Sequence, residues 1–155
     1  MSRILTAYFS WSGCCEKLAV AAGAETAFRI RTVKPYSSSF IVTAWRAGWE
    51  KLTGARPQLV SLPERTETYD AILLIYPVWC SSCPRAVLTF LESIDTKGKV
   101  IQPVCCSGSG HPGSSVRDIR KACPDAQIRD ELSFLGKMAG SEGARRRLKE
   151  CIEKI

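Results

Sequence analysis

Short apolar runs alternate with segments of helical period from one end of the 155-residue chain to the other. That alternation is the pattern of a parallel sheet whose strands are joined by helices. The first run, Ile4 to Phe9, is continuously apolar, as a strand buried on both faces must be, and it stops at Ser10-Trp11-Ser12-Gly13 before a helix-forming segment, Glu16 to Ala24. In the next unit Phe28, Ile30 and Thr32 alternate with Arg29 and Arg31, which predicts a half-exposed edge strand ended by Lys34-Pro35-Tyr36. Ile41, Trp45, Trp49 and Leu52 then fall at helical spacing; the stripe predicts two core-facing tryptophans, with Gly54 ending the helix. Asp70 to Tyr76 is the most hydrophobic run and so the central strand. Pro84 opens a helix that turns Val87, Leu88, Leu91 and Ile94 inward. Lys99 to Cys106 predicts a fourth strand, Val116, Ile119 and Cys123 a short helix, Ile128 to Phe134 a last strand, and Leu148, Cys151, Ile152 and Ile155 a closing helix.

Five alternating units with right-handed crossovers make an α/β fold: a doubly wound five-stranded parallel sheet, order 2-1-3-4-5, with helices on both faces. A chain of this length is expected to form one domain, residues 1–155, burying roughly 68–70% of its unfolded-chain surface. In such sheets a ligand sits beyond the carboxyl ends of the strands, at the switch point beside strand one. The loops after strands one, three and four are therefore the candidate site.

Composition narrows the function. With 22 Lys+Arg against 15 Asp+Glu the formal charge is 22 − 15 = +7, which favours acidic partners. The only compact basic run is Arg145-Arg146-Arg147, with no aromatic residue interleaved, so a nucleic-acid platform is not expected. The longest apolar run, Ala71 to Cys80, is broken by Pro77 and falls short of the ~20 residues that cross a bilayer. Without a signal-peptide pattern the chain is expected to be cytoplasmic, and most of its eight cysteines reduced. No Ser-His-Asp set can be assembled around the single histidine, which excludes that route to hydrolysis.

The first loop, Ser10-Trp11-Ser12-Gly13-Cys14-Cys15, offers hydroxyls, a glycine and the start of a helix, a setting that suits a phosphate. The same residues also suit an ordinary capped turn. Here the chain resembles a known family. Ala7-Tyr8-Phe9-Ser10-Trp11-Ser12-Gly13, then Pro35-Tyr36, Tyr76-Pro77-Val78-Trp79, Ala86-Val87-Leu88-Thr89-Phe90-Leu91-Glu92 and Gly108-Ser109-Gly110 resemble the flavodoxin family, in its Y-F-S-W-S-G-N-T variety, in the same element order over nearly the whole chain.

The resemblance implies an FMN-binding electron carrier or small oxidoreductase served by a redox partner protein, an acidic one given the charge. It assigns the phosphate to Ser10, Ser12 and Gly13, followed by Cys14 and Cys15. It places the ring by Trp11 and by the second loop, Pro77, Val78, Trp79, Cys80 and Ser81, with Ser107, Gly108 and Gly110 of the third loop also at the cofactor. The departures are specific. Cys14-Cys15 replaces the family's Asn-Thr and removes a hydroxyl, a thiol being a weak donor. Cys80-Ser81-Ser82-Cys83-Pro84 stands where the family often has an aromatic and Gly-Thr-Ala, and no tyrosine lies between Val100 and Cys123.

Six cysteines fall two to a loop: Cys14 and Cys15, Cys80 and Cys83, Cys105 and Cys106. They are alternative candidates for a thiol-redox site, a soft metal or an iron–sulfur cluster in place of FMN, though adjacent pairs rarely aim both sulfurs one way. Buried structural thiols are the plain alternative. Cys80-x-x-Cys83 before a helix has dithiol spacing, and its thiol at the helix start is expected to be acidified. Gly108-Ser109-Gly110-His111-Pro112-Gly113, with Asp130 downstream, fits a dinucleotide fingerprint displaced to the fourth strand, and His111 is a titratable candidate in the same loop. A cofactor-free interaction module is the third reading.

Overall fold

The computed structural model describes residues 2–23 and 26–155. Among them six strands form one sheet in the order β2-β1-β3-β4-β5, with β6 also on the β4 edge, and every pairing is parallel. β1 (Ile4–Tyr8), β3 (Ala71–Pro77) and β4 (Val100–Ser107) are the centre. Six of the seven β3 residues are buried, because helices cover both faces of the sheet. The pleat sorts them. Ile72, Leu74 and Tyr76 face one core with α3 (Arg85–Glu92) and α4 (Ser115–Ala122); Leu73 and Ile75 face the other with α1 (Cys14–Ala21) and α5 (Glu142–Ile152). Helix α1 starts two residues before the expected Glu16, and its expected end at Ala24 lies outside the described residues. No described helix is long and apolar enough to cross a membrane.

Strand two is shorter than expected and is not left bare. β2 (Phe28–Arg29) pairs with β1, and beyond it the chain pairs antiparallel with residues 58–60, through Val33 N–H to Gln58 O at 2.8 Å and Val60 N–H to Arg31 O at 2.9 Å. That second pairing shields an edge otherwise open to other strands.

The expected last strand, Ile128 to Phe134, is two: β5 (Gln127–Ile128) and β6 (Leu132–Leu135). Along β4 the pairing advances four residues, Val100 to Val104, while the partner advances five, Gln127 to Leu132. The cause is Pro103. Residues 99 and 101 accept from the last-strand side, from Gln127 and Arg129, so Pro103 faces that side too and has no N–H to donate. The partner bulges there, and buried Gln102 fills in, its amide donating to Asp130 O at 2.8 Å and Pro103 O at 3.1 Å.

The second helix corrects the sequence reading most sharply. α2 (Phe40–Thr53) buries Thr43, Ala47 and Glu50, while Trp45 is 78% exposed and Trp49 66%. Ile41 and Leu52 of the expected core stripe are also in solvent. The inner face is held by polar contacts instead. Glu50 accepts from the Tyr36 hydroxyl at 2.6 Å and from Arg46 at 2.8 Å, and the Arg46 guanidinium lies 3.8 Å from the Tyr36 ring centre. Gly54, at φ +68, ends the helix as expected.

Candidate functional site

The three loops meet at the carboxyl end of the sheet. In the first, Ser10 Oγ accepts from the Gly13 N–H at 3.1 Å, and Gly13 takes φ +94, a conformation suited to glycine. The first α1 bond runs from Lys17 N–H to Gly13 O, so the N–H groups of Cys14, Cys15 and Glu16 have no partner within the helix. No described side chain caps this helix. The Ser10–Gly13 bond closes the loop, as a plain turn would, yet leaves the helix start free to receive an anion. Ser12 is exposed beside it. Arg29 was not singled out from the sequence; it reaches Ser10 O at 3.5 Å and Glu16 at 3.9 Å, setting a cation beside the loop.

The second loop is fastened on three sides. Trp79 and Ser82 exchange backbone hydrogen bonds at 2.7 and 2.9 Å around Cys80 and Ser81, whose φ values of +49 and +61 match a type I′ turn. Non-glycine residues hold such angles only where their surroundings force them. Lys51 donates to Cys80 O. Ser81 O accepts from the Ser114 N–H and hydroxyl, and Ser82 donates to Asp118. Buried Arg85 donates to Ser82 Oγ at 2.7 Å and stands 3.4 Å from Asp118. Burial works to raise the Asp118 carboxyl, but hydrogen bonds from Ser82 and Arg85 and the arginine charge hold it below the usual range.

Trp11 and Trp79, nominated from separate loops, line one apolar pocket of about 160 Å³ with Val78 and Cys80. Its far wall is α2, through Phe40, Thr43, Ala44 and Ala47, which sequence reasoning missed because it turned this helix the other way. The Trp11 indole N–H donates to Ser37 O at 2.8 Å. Trp79 packs edge-on to Phe9 at 5.3 Å and to Tyr36 at 5.0 Å. Both rings are therefore partly committed to packing while still presenting surface to the pocket.

In the third loop Ser107 is turned inward on the loop itself: its Oγ accepts from Gly110 N–H at 2.8 Å and donates to His111 O at 3.4 Å. Gly108 is exposed, and Gly110 packs toward Leu135. Gly113, the last glycine of the fingerprint, is explained by contact alone. A Cβ there would stand 2.2 Å from Ser81 O. His111 is exposed and Asp130 sits at the break in the last strand, so the dinucleotide pattern describes loop packing here.

The six loop cysteines do not form one site. Neighbours on β4 point to opposite faces, which puts Cys105 in the core with Cys83 and puts Cys106 in the other core with Cys15, against which Cys14 packs. Cys80 is exposed. The expected acidified thiol at the α3 start is also corrected: burial pushes Cys83 up to about 11, outweighing the Arg85 charge that works to lower it. The neighbouring Cys15 thiol, against the effect of burial, holds the Cys106 thiol below its ordinary value, at about 7. Among the described residues no group of three or more His, Cys, Asp or Glu side chains is placed to hold a metal ion.

Residues 3–155 match the family model described as flavodoxin. The chain is 29% identical to a candidate flavoprotein of Bacteroides eggerthii, with 100% of this chain and 98% of that one covered and a TM-score of 0.81. It is 26% identical to another from Bacteroides uniformis, covering 98% of each, with a TM-score of 0.83. A flavoprotein of Lactobacillus acidophilus solved in complex with FMN shares the fold at 16% identity, 85% and 93% coverage and a TM-score of 0.74. No protein among those with curated functions matches.

Proposed function

From the premise that this chain belongs to the flavodoxin family, which the match over residues 3–155 establishes, we propose that it binds FMN and passes electrons to and from a partner protein. The observation that carries the reading is the position of Trp11 and Trp79 on one apolar pocket, with Trp11 only two residues before the glycine that opens α1. The residues present fit the cofactor at both ends. The uncapped N–H groups of Cys14, Cys15 and Glu16, the Ser12 hydroxyl and the Arg29 charge suit a phosphate. The replaced Asn-Thr pair costs a hydroxyl but no backbone donor, since Cys14 and Cys15 keep their N–H groups at the start of α1.

The pocket of about 160 Å³ is smaller than the ~300 Å³ of sites that engulf a ligand, so it suits a ring held by part of its surface. When bound, FMN supplies the redox chemistry. The protein's own share is to position the ring against tryptophan faces, keep water from the pocket wall and set the charge around the phosphate. With +7 overall, an acidic redox partner is the complementary one.

FMN titration under anaerobic conditions, followed by absorbance and flavin fluorescence, tests this. Saturable one-to-one uptake with quenched fluorescence is expected. Fluorescence unchanged through the titration would overturn it.

A further inference from the structure

Helix α2 turns polar residues inward and leaves an apolar face bare. Phe40, Ile41, Val42, Trp45, Trp49 and Leu52 are all more than half in solvent. Ile41, Trp45 and Trp49 stand one turn apart and form a raised row; beside it Ala44 and Gly48 form a low one, closed by Leu52. Along the low row runs an open groove of about 360 Å³, lined by Ala44, Trp45, Gly48, Trp49 and Leu52. At ~150–250 Å² per aromatic side chain, Phe40, Trp45 and Trp49 alone leave on the order of 400 Å² in water. The three aliphatic residues bring the face to roughly 600 Å², as much as the largest patch of a typical monomer.

The face is uncharged. Of the three ionisable residues of α2, Glu50 is buried and bonded to Tyr36 and Arg46, Arg46 also donates to Lys34 O and Pro35 O at 2.9 Å, and Lys51 donates to Cys80 O. An acidic protein would therefore find no cation on this face, and an anionic bilayer no basic rim of the kind that surface helices carry. Copies of a chain with charge +7 repel one another except where they meet on neutral surface, and this face provides it.

We propose that two copies of this chain associate through α2, face to face about a two-fold axis passing near Gly48. The raised row of each helix lies along the low row of the other, and Trp45 of each copy enters the other's groove, where Gly48 has no side chain to exclude it. Packing of such four-residue rows crosses two helices at about −50°. A two-fold contact uses the same face twice, so it closes at two chains and buries about 1,200 Å² in all, above the ~1,000 Å² expected of a specific interface. The dimer is concentration-dependent, and in dilute solution Trp45 stands in water. The contact needs no flavin, and its groove shares only Ala44 with the pocket of Trp11 and Trp79.

Sedimentation velocity of the flavin-free, full-length chain, from about 1 μM to about 1 mM, tests this. The mass should rise from one chain, 17.1 kDa, to two chains and no further, with tryptophan emission moving to shorter wavelength in step. Trp45→Lys, which sets a charge in the groove contact while altering only an exposed position, should fold as the parent does and weaken association at least about thirtyfold. Val20→Lys, at an exposed apolar position on α1, should dimerise like the parent. A single-chain mass throughout, growth beyond two chains, undiminished association in Trp45→Lys, or an equal loss in Val20→Lys would overturn the proposal. So would capture of single chains by vesicles of mixed zwitterionic and anionic lipid, an outcome that would give the face to a membrane surface.

Discussion

The Ser114 N–H donates to Ser81 O at 2.7 Å, and its hydroxyl donates to the same oxygen at 3.0 Å. One carbonyl thus ties the third loop to the second, and Gly113 makes the approach possible at φ +60 with no side chain in the way. Gly113→Ala forces backbone apart. A loss of about 2 kcal/mol or more is expected in denaturant unfolding, together with weaker FMN uptake because Trp79 rides on the displaced loop.

The two tryptophans of the pocket should dominate flavin binding. Trp79→Ala removes pocket surface together with its packing on Phe9 and Tyr36, and should weaken FMN by about tenfold, as aromatic pairs worth ~0.5–1.5 kcal/mol beyond burial suggest. Trp11→Ala should act in the same direction, whereas Cys83→Ser should leave flavin affinity unchanged. Fluorescence titration ranks the three.

Arg29 separates phosphate recognition from ring recognition. Its half-exposed guanidinium beside Ser10 is screened by solvent, so Arg29→Gln is expected to lower FMN affinity only a few-fold, more at low salt than at high. Riboflavin, which lacks the phosphate, should bind the variant and the parent equally.

Exposed and buried aromatics make the opposite stability contrast. Trp45→Ala should change unfolding free energy by no more than about 0.5 kcal/mol, as expected for a side chain standing in solvent. Phe90→Ala, fully buried on α3, should cost about 3–5 kcal/mol.

Alkaline pH should expose the cost of a buried thiol. The Cys83 pKa of about 11 in the fold stands above its ordinary value of 9.0, so the native state keeps a proton that the unfolded chain releases. Stability from this group is whole below about pH 9 and is lost as pH rises toward 11, by about 2–3 kcal/mol at one unit per ~1.4 kcal/mol. Unfolding midpoints across that range should fall less steeply in Cys83→Ala than in the parent.

The sheet was legible in the sequence because burial on both faces leaves a continuous apolar run, as from Ala71 to Tyr76, that few other structures explain. Helix α2 was misread because period reveals that a helix has two faces and not which one turns inward. The deciding contact, Tyr36 to Glu50, joins residues fourteen apart, and no local pattern announces it. The loops were correctly brought to one end, yet spacing alone could not aim their thiols. For Cys105 and Cys106 the signal was present all the same: adjacent strand residues must diverge, which separates them without any structure.

The bulge opposite Pro103 divides the last strand into two independently anchored pieces, β5 on Val100 and Ile101 and β6 from Val104 onward. Register on either side is already set without the residues between them. A segment inserted after Asp130 would therefore enlarge this protein without sliding a strand or disturbing the loops at the far end of the sheet. The missing donor of one proline makes this joint the place where the fold can acquire new length, and with it new surface, while its ligand-facing end is conserved intact.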